Sequence, residues 1–408
     1  MIFLTVFIDL LGFGMVLPLL PIYADQFTVD PAGWQLGLLM ASFSAMQFLF
    51  APLWGRLSDH VGRRPVILLG LLASVVFYTL FGIATVWQSL PLLFVSRIGA
   101  GIAGATIPTA QAYIADVTSL QHRSRGMAII GMAFGLGFTF GPLLGFLAVP
   151  DRHAQPGPWP GYAAAVLSAC ALLLAVFRLP ESHVGRTISS GSHESPARLF
   201  PWTGPANLAT TFSFSILFLL ATVFVCMFSF AAFETTLSLL IKGERASMRG
   251  AFHFSWGQVC LTYAFIGFTL AVVQGGLVRR LAGHAHEGIW SGTGALIQIL
   301  GFAFMILAIH QVSVLWLFVA LATVVSGFSF LQPNLQALIS RRSDPARQGM
   351  VLGVAQSVNS LARILGAGLG IPILRAEITA PYWVAAALMA LGGICVVVAM
   401  RTGRDHPG

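Results

Sequence analysis

The sequence predicts an all-α polytopic membrane protein of twelve transmembrane helices in two six-helix halves. Three observations predict it. Of 408 residues, 57% are hydrophobic and 9% charged, against about 25% charged in an ordinary soluble domain. Long apolar runs recur along the whole chain, and the alternating pattern of an outer-membrane barrel is missing. Short motifs in the first half recur in the second at nearly one offset.

Runs of about 20 apolar residues, enough to cross a bilayer, predict helices over 1–23, 34–54, 66–86, 90–113, 126–149, 161–178, 212–240, 255–277, 289–309, 313–338, 349–373 and 381–400. The longest break is rich in Ser, Pro, Gly and His and reads as a linker. The expected organisation is a first bundle over 1–178, a cytoplasmic linker over 179–211, a second bundle over 212–400 and a cytoplasmic tail over 401–408. The first run lacks a basic leader and a small-residue cleavage site, so no cleaved signal is expected. The short polar leader usual before a first helix is also missing, so the natural start is expected upstream.

Basic residues set the orientation. With both ends inside, fifteen arginines fall on inner segments and five basic residues on outer loops; Arg97 and Arg363 lie within helices. This asymmetry predicts cytoplasmic termini in a cell (inner or plasma) membrane. It also accounts for the net charge of +8 without nucleic acid as a partner. Cys170, Cys226, Cys260 and Cys395 all lie in apolar runs and read as free thiols.

Three matches carry the internal repeat. Pro108-Thr109-Ala110-Gln111-Ala112 answers to Pro333-Asn334-Leu335-Gln336-Ala337, Arg125-Gly126-Met127 to Gln348-Gly349-Met350, and Arg56-Leu57 to Arg280-Leu281. A duplicated six-helix unit with a site between the halves is the architecture of alternating-access carriers.

Between the second and third runs stands Gly55-Arg56-Leu57-Ser58-Asp59-His60-Val61-Gly62-Arg63-Arg64-Pro65. Gly62 permits a tight turn. Asp59 can pair with Arg63 and Arg64, or with the positive N-terminal end of another helix. Topology alone needs neither Asp59 nor Gly62, so Gly55, Arg56, Asp59, Gly62, Arg63 and Arg64 read as more than an orientation signal; the gating role of this loop is what the resemblance described below implies. Asp116 with Arg123 and Arg125 reads as a second inner charge cluster.

Within the membrane, Asp9 lies about 12 Å into the first helix and Arg97 about 10 Å from the outer edge of the fourth, at ~1.5 Å per residue. The two are expected to be coupled, either as a proton-linked pair or as a static buried one. Glu234 in the seventh run is a second titrating group, a contact for a cationic substrate, or an interfacial residue. Arg363 in the eleventh either pairs with Glu234, binds an anionic group, or bonds helix carbonyls. Gly131, Gly135, Gly137, Gly141 and Gly145 on the fifth run permit close approach by another helix, and Pro142 allows a kink or hinge between the halves. Gln47, Gln332, Asn334, Gln356 and Asn359 are neutral polar candidates for a substrate pocket.

These motifs resemble those of the major facilitator superfamily, and within it the drug/proton antiporters akin to tetracycline exporters. Gly55 to Pro65 is similar to the superfamily's signature loop. Arg97 with Gly99, Gly101 and Gly104 resembles its second motif. Gly137-Phe138-Thr139-Phe140-Gly141-Pro142-Leu143-Leu144-Gly145-Phe146 resembles the antiporter motif, with Phe146 where a glycine is usual. Asp9-Leu10-Leu11-Gly12-Phe13-Gly14, Pro18 and Pro21 resemble the first helix of tetracycline exporters. The third and ninth runs carry no acid, where tetracycline exporters do. The resemblance implies a major facilitator fold, a monomer, no cofactor, and proton-coupled efflux of a small amphipathic compound. It also implies that the Asp59 contact latches the inner side shut. Proton-coupled uptake of a sugar or metabolite is the alternative.

Other classes fit poorly. Lys242 is the only lysine and is followed by Gly243, so no phosphate loop exists for an ATP-driven pump. No histidine lies deep in a run and no His-Glu-x-x-His occurs, so neither a metal site nor an enzyme is expected. His284-Ala285-His286-Glu287 reads as a solvated loop. No sizeable soluble domain supports a sensor.

Overall fold

The computed structural model describes residues 2–16, 34–119, 122–147, 157–182, 214–242, 252–254, 256–281, 284–344 and 347–402, and among these it is helical nearly throughout, with no strand. The helices are α1 Ile2–Val16, α2 Trp34–Val61, α3 Arg63–Val86, α4 Leu90–Gly104, α5 Ile107–Val117, α6 Arg123–Leu147, α7 Trp159–Arg178, α8 Phe214–Lys242, α9 Trp256–Val272, α10 Glu287–Gln311, α11 Val314–Arg342, α12 Gln348–Ala376 and α13 Ala380–Thr402. Among the described residues, ten helical stretches, with α4 and α5 counted as one, are long and apolar enough to cross a bilayer. The end of the first predicted run, nearly all of the linker and the tail beyond Thr402 lie outside the described residues.

The signature stretch is less of a turn than its glycines suggest. Nothing breaks the backbone ladder between Gly55 and Val61, so α2 continues through Asp59 and His60. The reversal happens at Gly62 alone, whose φ of 106° is open to glycine. The α3 helix starts at the next residue.

The fourth predicted span is broken at Ala105-Thr106. Pro108 has no N–H to give the carbonyl of Gly104, four residues back. That carbonyl instead accepts a bond from Gln47 Nε2 of α2 at 3.4 Å. Trp54 Nε1 of the same helix reaches the Ile102 carbonyl at 2.9 Å. The side chains of α2 therefore satisfy the break, and Gln47 is committed to it rather than free for a pocket. The repeat partner Pro333 leaves α11 unbroken.

Past Val272, α9 widens into a π-helical turn, Val273–Val278, and closes on one α-helical turn, Arg279–Leu281. Gly275 and Gly276 hold the α form weakly. The buried Gln274 side chain there fills the notch left by Gly131 of α6.

One large apolar core joins α8 to α13 and takes in Ala112, Ala115 and Met127 from the first half. Smaller clusters hold α1, α3, α4, α5, α6 and α7 together. The halves meet chiefly where α2 packs on α12 and α6 on α9. The glycines of α6 divide between two jobs. Gly137 and Gly141 lie against Leu10 and Gly14 of α1, within the first half, whereas Gly135 lies against Gly267 and Ala271 of α9. The motif bearing Pro142 therefore abuts α1, and the face toward the other half is the preceding pair, Gly131 and Gly135. Gly145 lies in α6, near its end. Exposed Trp87, Trp159 and Trp383 mark the helix ends opposite the arginine-rich ones, as aromatic residues do at a membrane interface.

Replacing Gln47 with Leu strands the Gly104 carbonyl in an apolar setting, at a cost of about 1–3 kcal/mol. The expected outcome is a thermal unfolding midpoint lowered by a few degrees for the purified protein. An unchanged midpoint would mean that the carbonyl is satisfied otherwise.

Candidate functional site

The N-terminal turn of a helix leaves N–H groups without intrahelical partners and carries a partial positive charge. At the start of α12 the carboxylate of Asp59, from α2, takes two of them. Oδ1 accepts from Gly349 N and Oδ2 from Met350 N, both at 2.9 Å. This link joins the two halves. It forms because the backbones approach closely: a Cβ on Gly55 would overlap the Gly349 carbonyl, and one on Gly349 would lie 2.5 Å from the Gly55 carbonyl.

Arg63 holds the carboxylate in place. Its guanidinium is fully buried, and Nη1 donates to Asp59 Oδ1 at 2.5 Å and to Ser58 Oγ at 2.7 Å. Its Nε donates to Asp116 Oδ2 at the end of α5, at 3.1 Å. Glu181, just past α7, accepts from the Arg63 and Arg64 amides at 2.9 and 3.0 Å and so caps α3. Arg64 Nη2 bonds the Val176 carbonyl at 2.6 Å. Arg56 contributes its carbonyl to His60 Nδ1. Gly62 leaves room for the Glu181 carboxylate, since a Cβ there would come within 2.7 Å of it.

The expected cluster of Asp116, Arg123 and Arg125 does not form as one unit. Asp116 faces Arg63 and Ser182. Arg123 turns toward the second half, where Nη1 donates to Ser340 Oγ of α11 at 2.7 Å, and Gln348 Nε2 bonds the same hydroxyl. Arg125 is exposed, because two residues along a helix turn a side chain about 200° away. Burial pulls the Arg123 guanidinium below its ordinary value; Asp116 opposes this and Arg341 adds to it.

In the second half, Glu287 at the start of α10 receives Arg341 Nη1 on both oxygens at 2.9 Å. Glu287 stands 224 positions after Arg63, and Arg341 stands 225 after Asp116. The repeat thus keeps the ion pair and exchanges its charges. Residue matching missed this because it sought identical residues; the offset itself points to the pair. Glu181 and Ser340 carried no motif that marked them; Gln348 stood in the internal repeat, opposite Arg125, without a role of its own.

Deeper in the bundle, Asp9 and Arg97 do not form an ion pair. Asp9 Oδ1 accepts from Ser168 Oγ of α7 at 2.7 Å. Arg97 is 2% exposed and lies 4.7 Å from the centre of the Phe43 ring, among Val16, Phe77, Tyr78 and Phe81. Asp9 lies beside Ser168 and Ser74, and Arg97 lies beside Phe43 and Tyr78, one turn further along α3 from Ser74. Tyr78 interacts electrostatically with both. Glu234 of α8 and Arg363 of α12 do pair: Nη2 reaches the two carboxylate oxygens at 3.2 and 2.9 Å, with each side chain about one-third exposed.

The polar pocket candidates do not converge. Asn334 bonds the Phe330 carbonyl of its own helix at 2.6 Å. Asn359 and Gln356 are one turn apart on α12, in contact at 3.5 Å. Gln332 keeps a buried oxygen without a partner. No cluster with metal-ligand character occurs among the described residues.

Against known proteins, the family described as Major Facilitator Superfamily matches residues 2–367 and 292–408. The chain is similar to the tetracycline resistance protein, class C, of Escherichia coli, 32% identical over 368 residues, covering 89% of this chain and 86% of that one. It is also similar to the major facilitator superfamily domain-containing protein 10 of Homo sapiens, 31% identical over 427 residues, covering 95% and 87%. Among solved structures it resembles the human organic anion transporter MFSD10 (TETRAN), with a TM-score of 0.80 at 27% identity and 97% of both chains covered. It shares its fold with the proton:xylose symporter XylE, with a TM-score of 0.73 at 16% identity, covering 96% and 94%.

Two outcomes follow for the inner side. Asp59→Asn keeps an acceptor oxygen but loses the charge, weakening the link by about 1–2 kcal/mol. Maleimide labelling of Ala115→Cys, in a background without the native cysteines, should then rise roughly tenfold; equal labelling would show that Asp59 does not hold this end closed. Glu287→Arg should lower the thermal midpoint, by about 3 kcal/mol of stability, and Glu287→Arg with Arg341→Glu should restore most of it. A double variant no better than the single one would mean that the pair contributes through packing alone.

Proposed function

Because the chain belongs to the major facilitator superfamily, we propose that it exports a small amphipathic organic molecule across the cell membrane in exchange for protons, by alternating access. The observation that carries this reading is the Asp59 carboxylate seated on the α12 amides, a link between halves that can be made and broken. Each charge-assisted bond contributes about 1.5–3 kcal/mol. Opening the inner side therefore costs a few kcal/mol, an amount that differential binding of substrate and proton can supply. Multi-pass topology follows from the family and the helices; we place both termini in the cytoplasm and take the working unit to be a monomer.

Export is favoured by the similarity to tetracycline resistance proteins and by the glycine-proline stretch of α6. Asp9 is the proton site in this scheme. Its carboxylate has hydroxyl partners and no arginine against it. It can thus gain and lose a proton without stranding a buried cation. When Asp9 is protonated, the field on Tyr78 and Arg97 changes, and the α1, α4 and α7 surroundings repack. The substrate is taken up between the halves while the inner side is open, and released outward when the Asp59 link re-forms.

The test is proton movement in everted membrane vesicles. Adding a transported compound, found by comparing drug susceptibility with and without expression, should discharge a preformed pH gradient. Asp9→Asn should slow that discharge at least roughly tenfold. Gradient discharge at the wild-type rate in the variant would remove Asp9 as the coupling group.

A further inference from the structure

The halves meet along two seams, and the one between α6 and α9 ends in unpaired arginines. Three contacts fix its register. Gly135 lies against Ala271 and Gly131 against Gln274, and Ala128 shares a small apolar cluster with Val278 and Leu281. The two helices run antiparallel, so one further turn brings Arg125 of α6 level with Leu281. The turn Arg279–Leu281 itself packs on α6. Arg125, Arg279 and Arg280 are all exposed, and none has an acidic partner among the described residues. Nearby acids are engaged elsewhere: Asp59 and Asp116 by Arg63, and Glu287 by Arg341. The start of α6 adds the partial positive charge of a helix N-terminus.

An exposed apolar stripe leads up to these arginines. It is made of Phe268, Val272 and Leu277. Phe268 and Val272 stand one α-helical turn apart. Val272 and Leu277 are five residues apart, which is about one turn of π-helix but well past one turn of α-helix. The π-helical turn Val273–Val278 thus keeps Leu277 in line with Val272 and sets Arg279 and Arg280 at the end of the stripe. Guanidinium groups grip a phosphate through paired N–H bonds, and an apolar stripe below them suits an acyl chain. A choline or ethanolamine group would place one more cation among the arginines, so the headgroup that fits carries a net negative charge. We propose that this seam binds an anionic phospholipid from the leaflet at the arginine-rich end. Its phosphate sits between Arg125 on one side and Arg279 and Arg280 on the other, and an acyl chain lies along Leu277, Val272 and Phe268.

Orienting the chain requires basic residues at this end, but not on both sides of one seam. Arg178 and Arg401 make the contrast. They close α7 and α13 at the same end, are exposed, and belong to helices that pack chiefly within their own halves. Arg125 belongs to the first half, whereas Arg279 and Arg280 belong to the second. A bound headgroup therefore joins the halves at a second place, apart from the Asp59 link between α2 and α12. Separating the halves at this end draws the arginines away from the phosphate they share. By linkage, the lipid favours the arrangement in which this end is closed. The lipid seat rests on the membrane placement of the chain, and only this last step rests on alternating access.

The experiment uses the purified full chain in mild detergent with four probes: dioleoylphosphatidylglycerol, dioleoylphosphatidylcholine, glycerophosphoglycerol and inorganic phosphate. Native mass spectrometry counts the bound molecules, and the thermal midpoint reports their effect. Phosphatidylglycerol should bind at least roughly tenfold more tightly than phosphatidylcholine and raise the midpoint. The two soluble phosphates should do neither at the same concentration. Arg125→Gln, Arg279→Gln or Arg280→Gln alone should each weaken the anionic lipid by roughly fivefold, and all three together should abolish the preference. Arg125→Lys with Arg279→Lys and Arg280→Lys should keep the preference in weakened form. Arg178→Gln with Arg401→Gln should leave it intact; an equal loss there would reduce the effect to general surface charge and overturn the site. Equal binding of both lipids, or binding of a soluble phosphate as tight as that of the lipid, would also overturn it. Maleimide labelling of Ala115→Cys should fall about threefold on exchanging phosphatidylcholine for phosphatidylglycerol, and should not fall in the triple Gln variant. Labelling that stays level would overturn the joining of the halves by lipid. None of these readouts involves transport. Failure of gradient discharge therefore removes the proton-exchange reading and leaves the lipid seat standing, and loss of the seat leaves the exchange.

Discussion

Two amides at the start of α12 would have no partner within their own helix, and Asp59 meets both. The surrounding contacts make that meeting possible. Gly55 and Gly349 remove the side chains that would keep the helices apart. Arg63 orients the carboxylate from a fully buried position and is itself held by Ser58 and Asp116. Glu181 fixes the chain reversal at Gly62 by capping the helix that carries Arg63. Each of these parts is intelligible once the carboxylate is placed, and none of them is explained by topology signalling alone. A charge placed only to orient the chain would sit in solvent, whereas the Arg63 guanidinium is fully buried and bonded to two carboxylates.

The second half preserves the frame of this arrangement with different chemistry. At the positions of Arg63 and Asp116 it has Glu287 and Arg341, the same attraction with the signs exchanged. An ion pair tolerates exchange because its energy depends on the product of the charges. What does not survive is the acid at the position of Asp59: 224 positions on stands Gly283, and the second half offers the helix N-terminus that the first half's acid binds. The two halves are thus complementary at this end rather than identical. The break between α4 and α5 has the same character, since Pro108 interrupts its helix while Pro333 does not.

The fold was largely legible because its signals are redundant. Each apolar run states its own length, and arginines mark one set of ends. The stretch from Gly55 to Pro65 was legible in composition but not in shape: its glycines suggested a loop, yet only Gly62 leaves the helix. Side-chain direction was the main thing hidden. Asp9 and Arg97 have compatible depths and still choose different partners, a serine and an aromatic ring. Arg125 follows Arg123 by two residues and faces solvent. Gln47 looked like a pocket residue because its role depends on a carbonyl freed by a proline on another helix, and no local pattern reports that. The π-helical turn at Gln274 was equally silent, since its cause is a notch at Gly131 far away in sequence.

A single helix carries both the Asp59 contact and the interior ion pair. Gly349, which receives Asp59, and Arg363, which receives Glu234, are fourteen residues apart on α12, about 21 Å at ~1.5 Å per residue. This helix packs along both α2 and α8. Asp59 ties its start to the first half, and Glu234 ties its middle to the second. The two contacts therefore share one continuous element, and neither needs a chain of intervening side chains to connect it to the other.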